Sequence, residues 1–203
     1  MILDVDTGHD DALAILLAGR HCALDLQAIT VVAGNQVLKK TVDNTISVCS
    51  LAQIDVPVYP GMEKPLIRDQ VISKDIHGES GLGGALFSTP IREPKQQHAV
   101  DFLIDACKSS AGDLTLIPMG PLTNIAMALL REPIIKEGIK EIVLMGGAYG
   151  LGNFTPAAEF NIFADPEAAK IVFESGVPIT MIGLELTHQA KIPPEVVEEV
   201  ATL

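Results

Sequence analysis

The sequence predicts an α/β protein: an open, mostly parallel sheet with helices on both faces. Strand-like and helix-like segments alternate along the chain, the pattern of parallel strands joined by crossover helices. Residues 26–33 (LQAITVVA) are β-branched and nearly continuously apolar, as a strand buried on both faces must be. Acids, asparagines and glycines collect just after the strands, at the edge where open parallel sheets bind ligands.

Each element has its own signal. Residues 1–5 (MILDV) form a short apolar run ending in acids, and residues 10–20 follow with helical character. After the strand at 26–33, a helix is expected over 37–52 and a short strand over 56–59, closed by Pro60 and Gly61. Val100, Leu103, Ile104 and Cys107 recur at helical spacing from residue 99 onward. A strand at 114–119, a helix at 122–131 and a strand at 141–145 come next, the last stopped by Gly146 and Gly147. Asp165 followed by Pro166 marks a helix start, and Gly176 ends that helix after Ser175. A strand at 178–184 and a last helix opened by Pro193 and Pro194 complete the alternation, and the whole is expected to be one domain over residues 1–203. Residues 67–98 interrupt the pattern; rich in Gly, Ser, Pro and charge, they are too long for an ordinary connection and read as a substrate-covering loop or a mobile one.

Composition removes several classes. With 14 Lys and Arg against 26 Asp and Glu, the net charge is −12, so no basic face offers itself to a nucleic-acid backbone. Trp is absent and aromatics are 4%, which leaves no stacking platform for single strands. A 48% hydrophobic, 20% charged chain is too apolar for disorder. The apolar run at 12–18 is far short of the roughly 20 residues of a membrane span. No basic stretch precedes it as in a secretory signal. Cys22, Cys49 and Cys107 are widely spaced and form no metal-binding pattern; they read as small buried hydrophobes in a reducing, cytoplasmic setting.

The chemistry-bearing feature is acidic. Asp4, Asp6, Asp10 and Asp11 fall at the first strand–helix junction, and no Lys or Arg lies between Met1 and Gly19. Favourable interaction with the helix dipole, about 0.3–1 kcal/mol each, accounts for Asp10 and Asp11 but not for two more acids at the end of a buried strand. Carboxylates this close raise one another's pKa unless a cation neutralises them. The alternatives are a metal site, for which all-oxygen ligands favour Ca²⁺ or Mg²⁺ over zinc, and a solvated acidic turn. Haloacid-dehalogenase-type phosphatases carry Asp-x-Asp-x-Thr/Val after a strand, but Gly8 stands where Thr or Val belongs, and residues 78–84 lack the Gly-Lys-Ser/Thr of a phosphate loop. Metal-dependent phosphoryl transfer is thus the weaker enzymatic alternative.

The stretch from Asp4 to Ala12 (DVDTGHDDA) resembles the opening motif of the inosine–uridine-preferring nucleoside hydrolases. The resemblance continues in order through Ala33-Gly34-Asn35, HGESGLG from His77, GPLTN from Gly120, VLMGG from Val143, AEFN from Ala158 and DPEAA from Asp165. It implies a Rossmann-like nucleoside hydrolase fold and hydrolysis of the N-glycosidic bond of purine or pyrimidine ribonucleosides to base and ribose. A Ca²⁺ cofactor is implied, with Asp6, Asp11 and the main-chain carbonyl of Met119 as ligands and Asp6 as the base for a water held by the metal. Asp10 and Asn35 are implied to hold ribose hydroxyls, with His77, Met145, Asn153, Glu159 and Asn161 as further substrate contacts. Taken alone, Asn35 could be a turn residue, Met145 core, His77 a surface histidine, and Thr123 and Asn124 helix caps. Glu159 and Asn161 alternate around Phe160, so an extended segment would project both to one side.

Family members continue beyond the position of Leu203 to a His-Asp pair, its Asp a further metal ligand and its His tied to protonation of the leaving base. That pair has no counterpart here, and His188 belongs to a different block. The expectation is a domain lacking the family's C-terminal segment, with a more open metal site, exposed apolar faces and impaired turnover. A ribose- or nucleoside-binding protein without activity is the alternative to an enzyme. Relatives of this kind form homodimers or homotetramers, expected here once the full domain is completed.

Overall fold

The computed structural model describes residues 1–73, 76, 78–83 and 92–202. Six strands run in one sheet: β1 (Ile2–Val5), β2 (Ala28–Val31), β3 (Val58–Pro60), β4 (Leu114–Pro118), β5 (Ile139–Met145) and β6 (Ile179–Ile182). Their order is β3-β2-β1-β4-β5-β6, and every neighbouring pair is parallel. The expected open parallel α/β architecture is therefore observed. Because β1 lies between β2 and β4, the chain winds outward in opposite directions from the centre, and a crevice opens at the carboxyl ends of β1 and β4.

The helices whose residues are described are α1 (His9–Arg20), α2 (Leu38–Leu51), α3 (Ala99–Ser109), α4 (Thr123–Arg131), α5 (Phe160–Ala164), α6 (Pro166–Phe173), α7 (Leu184–Thr187) and α8 (Pro194–Val200). They divide between two cores. Leu3 and Val5 of β1 face a core built from α1 and α2, including Ile15, Val42, Ile46 and Cys49. Ile2 faces the opposite core, formed with Leu103 and Cys107 of α3, Ile125 and Leu129 of α4, and Val172 of α6. The period-two alternation of a strand is what lets one short segment serve both layers. Asp4 shares the side of Ile2, and its carboxylate meets α4.

Four local expectations change. Residues 160–161 are helical, not extended: Glu159, itself extended, caps α5, and its carboxylate accepts the amides of Asn161 and Ile162. A Glu that can close its own helix N-terminus removes the reason for a strand there. Strand β5 begins at Ile139, two residues before the predicted start, because the 3-10 turn Pro133–Gly138 delivers a buried Ile139 directly to the sheet. Leu184 ends no strand but opens α7. Of the three cysteines, Cys49 and Cys107 are buried, whereas Cys22 is exposed in the turn after α1. At the far edge, Met181 of β6 is 43% exposed and α8 contributes no buried residue. Among the described residues, no helix is long and apolar enough to cross a membrane.

Candidate active site

The crevice is built from residues that follow strands. Asp6 leaves β1 and is buried; its Oδ2 accepts the Asn35 amide at 2.7 Å, and the Asn35 side-chain Nδ2 donates to the Asp6 carbonyl at 3.3 Å. The carboxylate occupies a slot that only two glycines leave open. A Cβ at Gly34 would lie 2.2 Å from Asp6 Oδ2, and one at Gly120 would lie 2.8 Å from Oδ1. Asn35 is thus more than a turn residue: it is buried and holds Asp6 through both backbone and side chain.

Asp11 lies in the first turn of α1, yet it is buried, with Oδ2 accepting the Gly8 amide at 2.8 Å. Asp10 is exposed at the rim of the crevice. Among the described residues no Lys, Arg or His forms an ion pair with Asp6, Asp10 or Asp11. Burial, and then the neighbouring Asp11 charge, push the Asp6 carboxyl well above its ordinary range. Burial, and then Asp10, push Asp11 up to about 7. Two buried carboxylates with no protein cation among the described residues form a cation-seeking arrangement.

Met119, just past β4, supplies a main-chain carbonyl that accepts from Asn161 Nδ2 at 2.7 Å. The same Nδ2 donates to the Met145 carbonyl at 3.1 Å, so Asn161 ties the ends of β4 and β5 together. Glu159 is buried, and besides capping α5 it accepts the Gly147 amide at 2.9 Å, anchoring the glycine turn where Gly147 has φ +74°. Asn153 is exposed; its Oδ1 accepts the Phe160 amide at 2.9 Å. His77 lies outside the described residues.

A cleft of about 300 Å³ is lined by Asp10, Asp11, Met119, Met145, Thr187 and Ala190. The fold therefore gathers Asp6, Asp10, Asp11, Asn35, Met119, Met145 and Asn161 around one crevice, while Asn153 stays on an exposed loop bonded to the Phe160 amide between Glu159 and Asn161. Thr187 and Ala190 escaped the sequence reading. Their signal was position, since Gly183-Leu184-Glu185-Leu186-Thr187 follows β6 as the other site segments follow their strands. A cavity of about 380 Å³ opens at the opposite, amino edge near Gln27 and Leu114, but its lining offers one carboxylate, Asp113, and no cation. The charged chemistry is at the carboxyl edge.

Comparison with known proteins identifies the family. A family model described as inosine-uridine preferring nucleoside hydrolase matches residues 1–203. The chain belongs to this family. It is 56% identical over 197 residues to the pyrimidine-specific ribonucleoside hydrolase RihB of Escherichia coli (strain SE11), covering 97% of this chain and 63% of the relative. Among solved structures, a purine-preferring ribonucleoside hydrolase from Gardnerella vaginalis superposes with a TM-score of 0.88 at 42% identity, covering 93% of this chain and 61% of that one. A plant nucleoside hydrolase, the PpNRh1 enzyme, gives 0.89 at 36% identity, covering 93% and 60%. The chain thus spans a little under two thirds of the length of these nucleoside hydrolases, with the fold of the two solved structures retained over the shared part.

The donor set suits a hard cation. Asp6, Asp11 and the Met119 carbonyl offer only oxygen, and among the described residues no cation is paired with the two buried carboxylates. Among the described residues, no three His, Cys, Asp or Glu side chains converge to enclose a metal by themselves.

Proposed function

We propose that the chain is a ribonucleoside hydrolase, splitting the N-glycosidic bond of pyrimidine ribonucleosides with water to give free base and ribose. The observation that carries this is the pair of buried carboxylates, Asp6 and Asp11, with no cation paired to them among the described residues, held at the crevice between β1 and β4 beside Asn35. The pyrimidine preference is taken from the 56% identity to a pyrimidine-specific relative, against 42% to a purine-preferring one.

In this reading Asp6 accepts the proton of the attacking water, with Asn35 fixing its carboxylate; general-base help of this kind is typically worth about 10²–10⁴-fold. Asp10 and Asn35 bind ribose hydroxyls. Met145 and Asn161, the latter bonded to the carbonyls of both Met119 and Met145, line the sugar, Glu159 and Asn153 support that side by fixing the backbone they bond, and His77 is a further substrate contact in this reading. Positive charge develops on the ribosyl ring in the transition state, so a net-negative pocket binds it more tightly than the neutral substrate. Ca²⁺ held by Asp6, Asp11 and the Met119 carbonyl supplies, when bound, Lewis-acid polarisation of water and a fixed point for vicinal hydroxyls. Residues 1–203 act as one domain in this reading, supported by the single sheet shared by both cores. A cytoplasmic homo-oligomer is also part of it, supported by free Cys22, Cys49 and Cys107 and by exposed Leu13 and Leu17 on α1.

The test is ribose release from uridine and from inosine by the purified 203-residue chain, with Ca²⁺, with chelator, and with Asp6→Asn. Chelator-sensitive turnover that the substitution abolishes supports the proposal. A folded chain that is stabilised by ribose but releases no base would make it a binding protein instead.

A further inference from the structure

Two adjacent residues beneath the crevice, Thr123 and Asn124, have the sequence of a helix start but not its contacts. Leu122 is the N-cap of α4 and makes no side-chain cap. Asn124, fully buried, instead donates through Nδ2 to Asp4 Oδ1 at 2.8 Å and to the Val31 carbonyl at 3.1 Å, and its Oδ1 accepts the Met62 amide at 2.8 Å. Thr123, also buried, donates to Asp165 Oδ2 at 2.7 Å, the oxygen that accepts the Leu66 amide at 2.9 Å. Asp165 Oδ1 in turn caps α6 through the Ala168 amide at 3.0 Å. Thr30 adds a second donor to Asp4 Oδ1 at 2.6 Å.

The pair therefore joins five segments: β1, the end of β2, the connection after β3, the start of α4 and the start of α6. Two of these carry the candidate cation ligands, since Asp4 is two residues before Asp6 and Met119 is four residues before Thr123. The neighbourhood is shaped to this end, because a Cβ at Gly61 would lie 2.2 Å from Asn124 Oδ1. Helix capping needs one oxygen and no contact to another strand. A buried polar network bonded across several segments fixes one mutual geometry, although among the described residues the second Asp4 oxygen, Oδ2, has no hydrogen-bond partner.

We propose that Thr123 and Asn124 are positioning residues that set the Met119 carbonyl against the Asp6 carboxylate and thereby tune cation affinity. The proposal rests on the reading of Asp6, Asp11 and Met119 as cation ligands. Groups that orient metal ligands without touching the metal typically change affinity about 10–100-fold when removed.

The experiment is calorimetric titration of the 203-residue chain with Ca²⁺ alone, on samples whose folding is checked by circular dichroism. Thr123→Val removes the hydroxyl at nearly constant shape, and Gly61→Ala displaces Asn124 without replacing it. Both should weaken Ca²⁺ binding about tenfold or more, while Thr123→Ser stays within about twofold of wild type. Leu103→Ala, in the core under α3, should lower the melting temperature and leave Ca²⁺ affinity unchanged. Folded Thr123→Val with wild-type affinity overturns the proposal even if Gly61→Ala fails to fold, and so does an equal loss in Leu103→Ala. A wild-type chain that binds no Ca²⁺ overturns the ligand reading itself and this inference with it, a result distinguishable because it needs no variant.

Discussion

Gly34→Ala is the sharpest single-atom test of the crevice. The added Cβ would lie 2.2 Å from Asp6 Oδ2, 2.7 Å from Pro121 Cδ and 2.9 Å from Asp6 Cγ. Carbon contacts settle near about 3.5 Å, so the carboxylate has to retreat by about 1 Å. Oδ2 is the oxygen that accepts the Asn35 amide, and that bond is lost in the movement. Overpacking of this kind costs about 1–3 kcal/mol of stability. A misplacement of about 1 Å at a reacting group lowers turnover about 10²-fold. Gly120→Ala approaches from the other flank at 2.8 Å from Oδ1, which demands about half that displacement and a correspondingly smaller loss. The assay is uridine hydrolysis under saturating Ca²⁺ alongside urea unfolding of the same samples. A Gly34→Ala chain with wild-type turnover would refute the argument that Asp6 is held in a slot with no spare room. Equal losses from the two alanines would refute the steric grading.

Other outcomes follow from contacts away from Asp6. Asp165→Ala strips the acceptor from the Thr123 hydroxyl and from the Ala168 and Leu66 amides at once, and should destabilise the chain by about 3 kcal/mol in urea unfolding. Burial pushes the Cys49 thiol up to about 11 and the Cys107 thiol up to about 12, so native chain at pH 8 should lose one thiol, exposed Cys22, to iodoacetamide and all three after denaturation. Between pH 9 and 11 the unfolded chain sheds those two protons and the folded chain keeps them, so stability should fall as pH rises, by at most about 1.4 kcal/mol per unit per thiol. The Glu185 carboxylate is held below its usual range by the Gly150 and Tyr149 amides, so Glu185→Ala should speed hydrogen exchange at those two amides and leave α2 protected.

The order of elements was legible because it depends on local signals. Alternating apolar segments, the glycine stops after β5 and the Asp165-Pro166 start required no knowledge of what each segment would meet. The acidic cluster was legible for the same reason, since four carboxylates without a cation are anomalous wherever they fold. Element ends were less visible. Nothing adjacent to Glu159 announces that it caps α5 and also anchors Gly147, because the second contact comes from a turn twelve residues away. Thr187 and Ala190 belong to the cleft only because α7 turns back toward Met145 and Asp11.

The hardest residues to read were those that act across the sheet. Asn124 and Asp4 are 120 positions apart, and each has a satisfactory local explanation: Asn near a helix start, Asp at a strand end. Local chemistry assigns Asn124 to a cap, and the fold assigns it to three segments at once. Burial decides between them. An Asn at an exposed helix start can be replaced at the level of one capping bond, whereas one with no exposed surface leaves the Asp4 carboxylate, the Val31 carbonyl and the Met62 amide short of a partner when it is removed. The same reasoning separates Asp11 from Asp10. Both stand in the first turn of α1, where the helix dipole favours any acid, but only Asp11 is buried, and a buried carboxylate without a protein cation requires an external one or a proton. Periodicity identifies the helix that carries both acids, and depth within the sheet edge separates them, Asp11 buried and Asp10 at the rim, which is the difference the proposed cation role of Asp11 rests on.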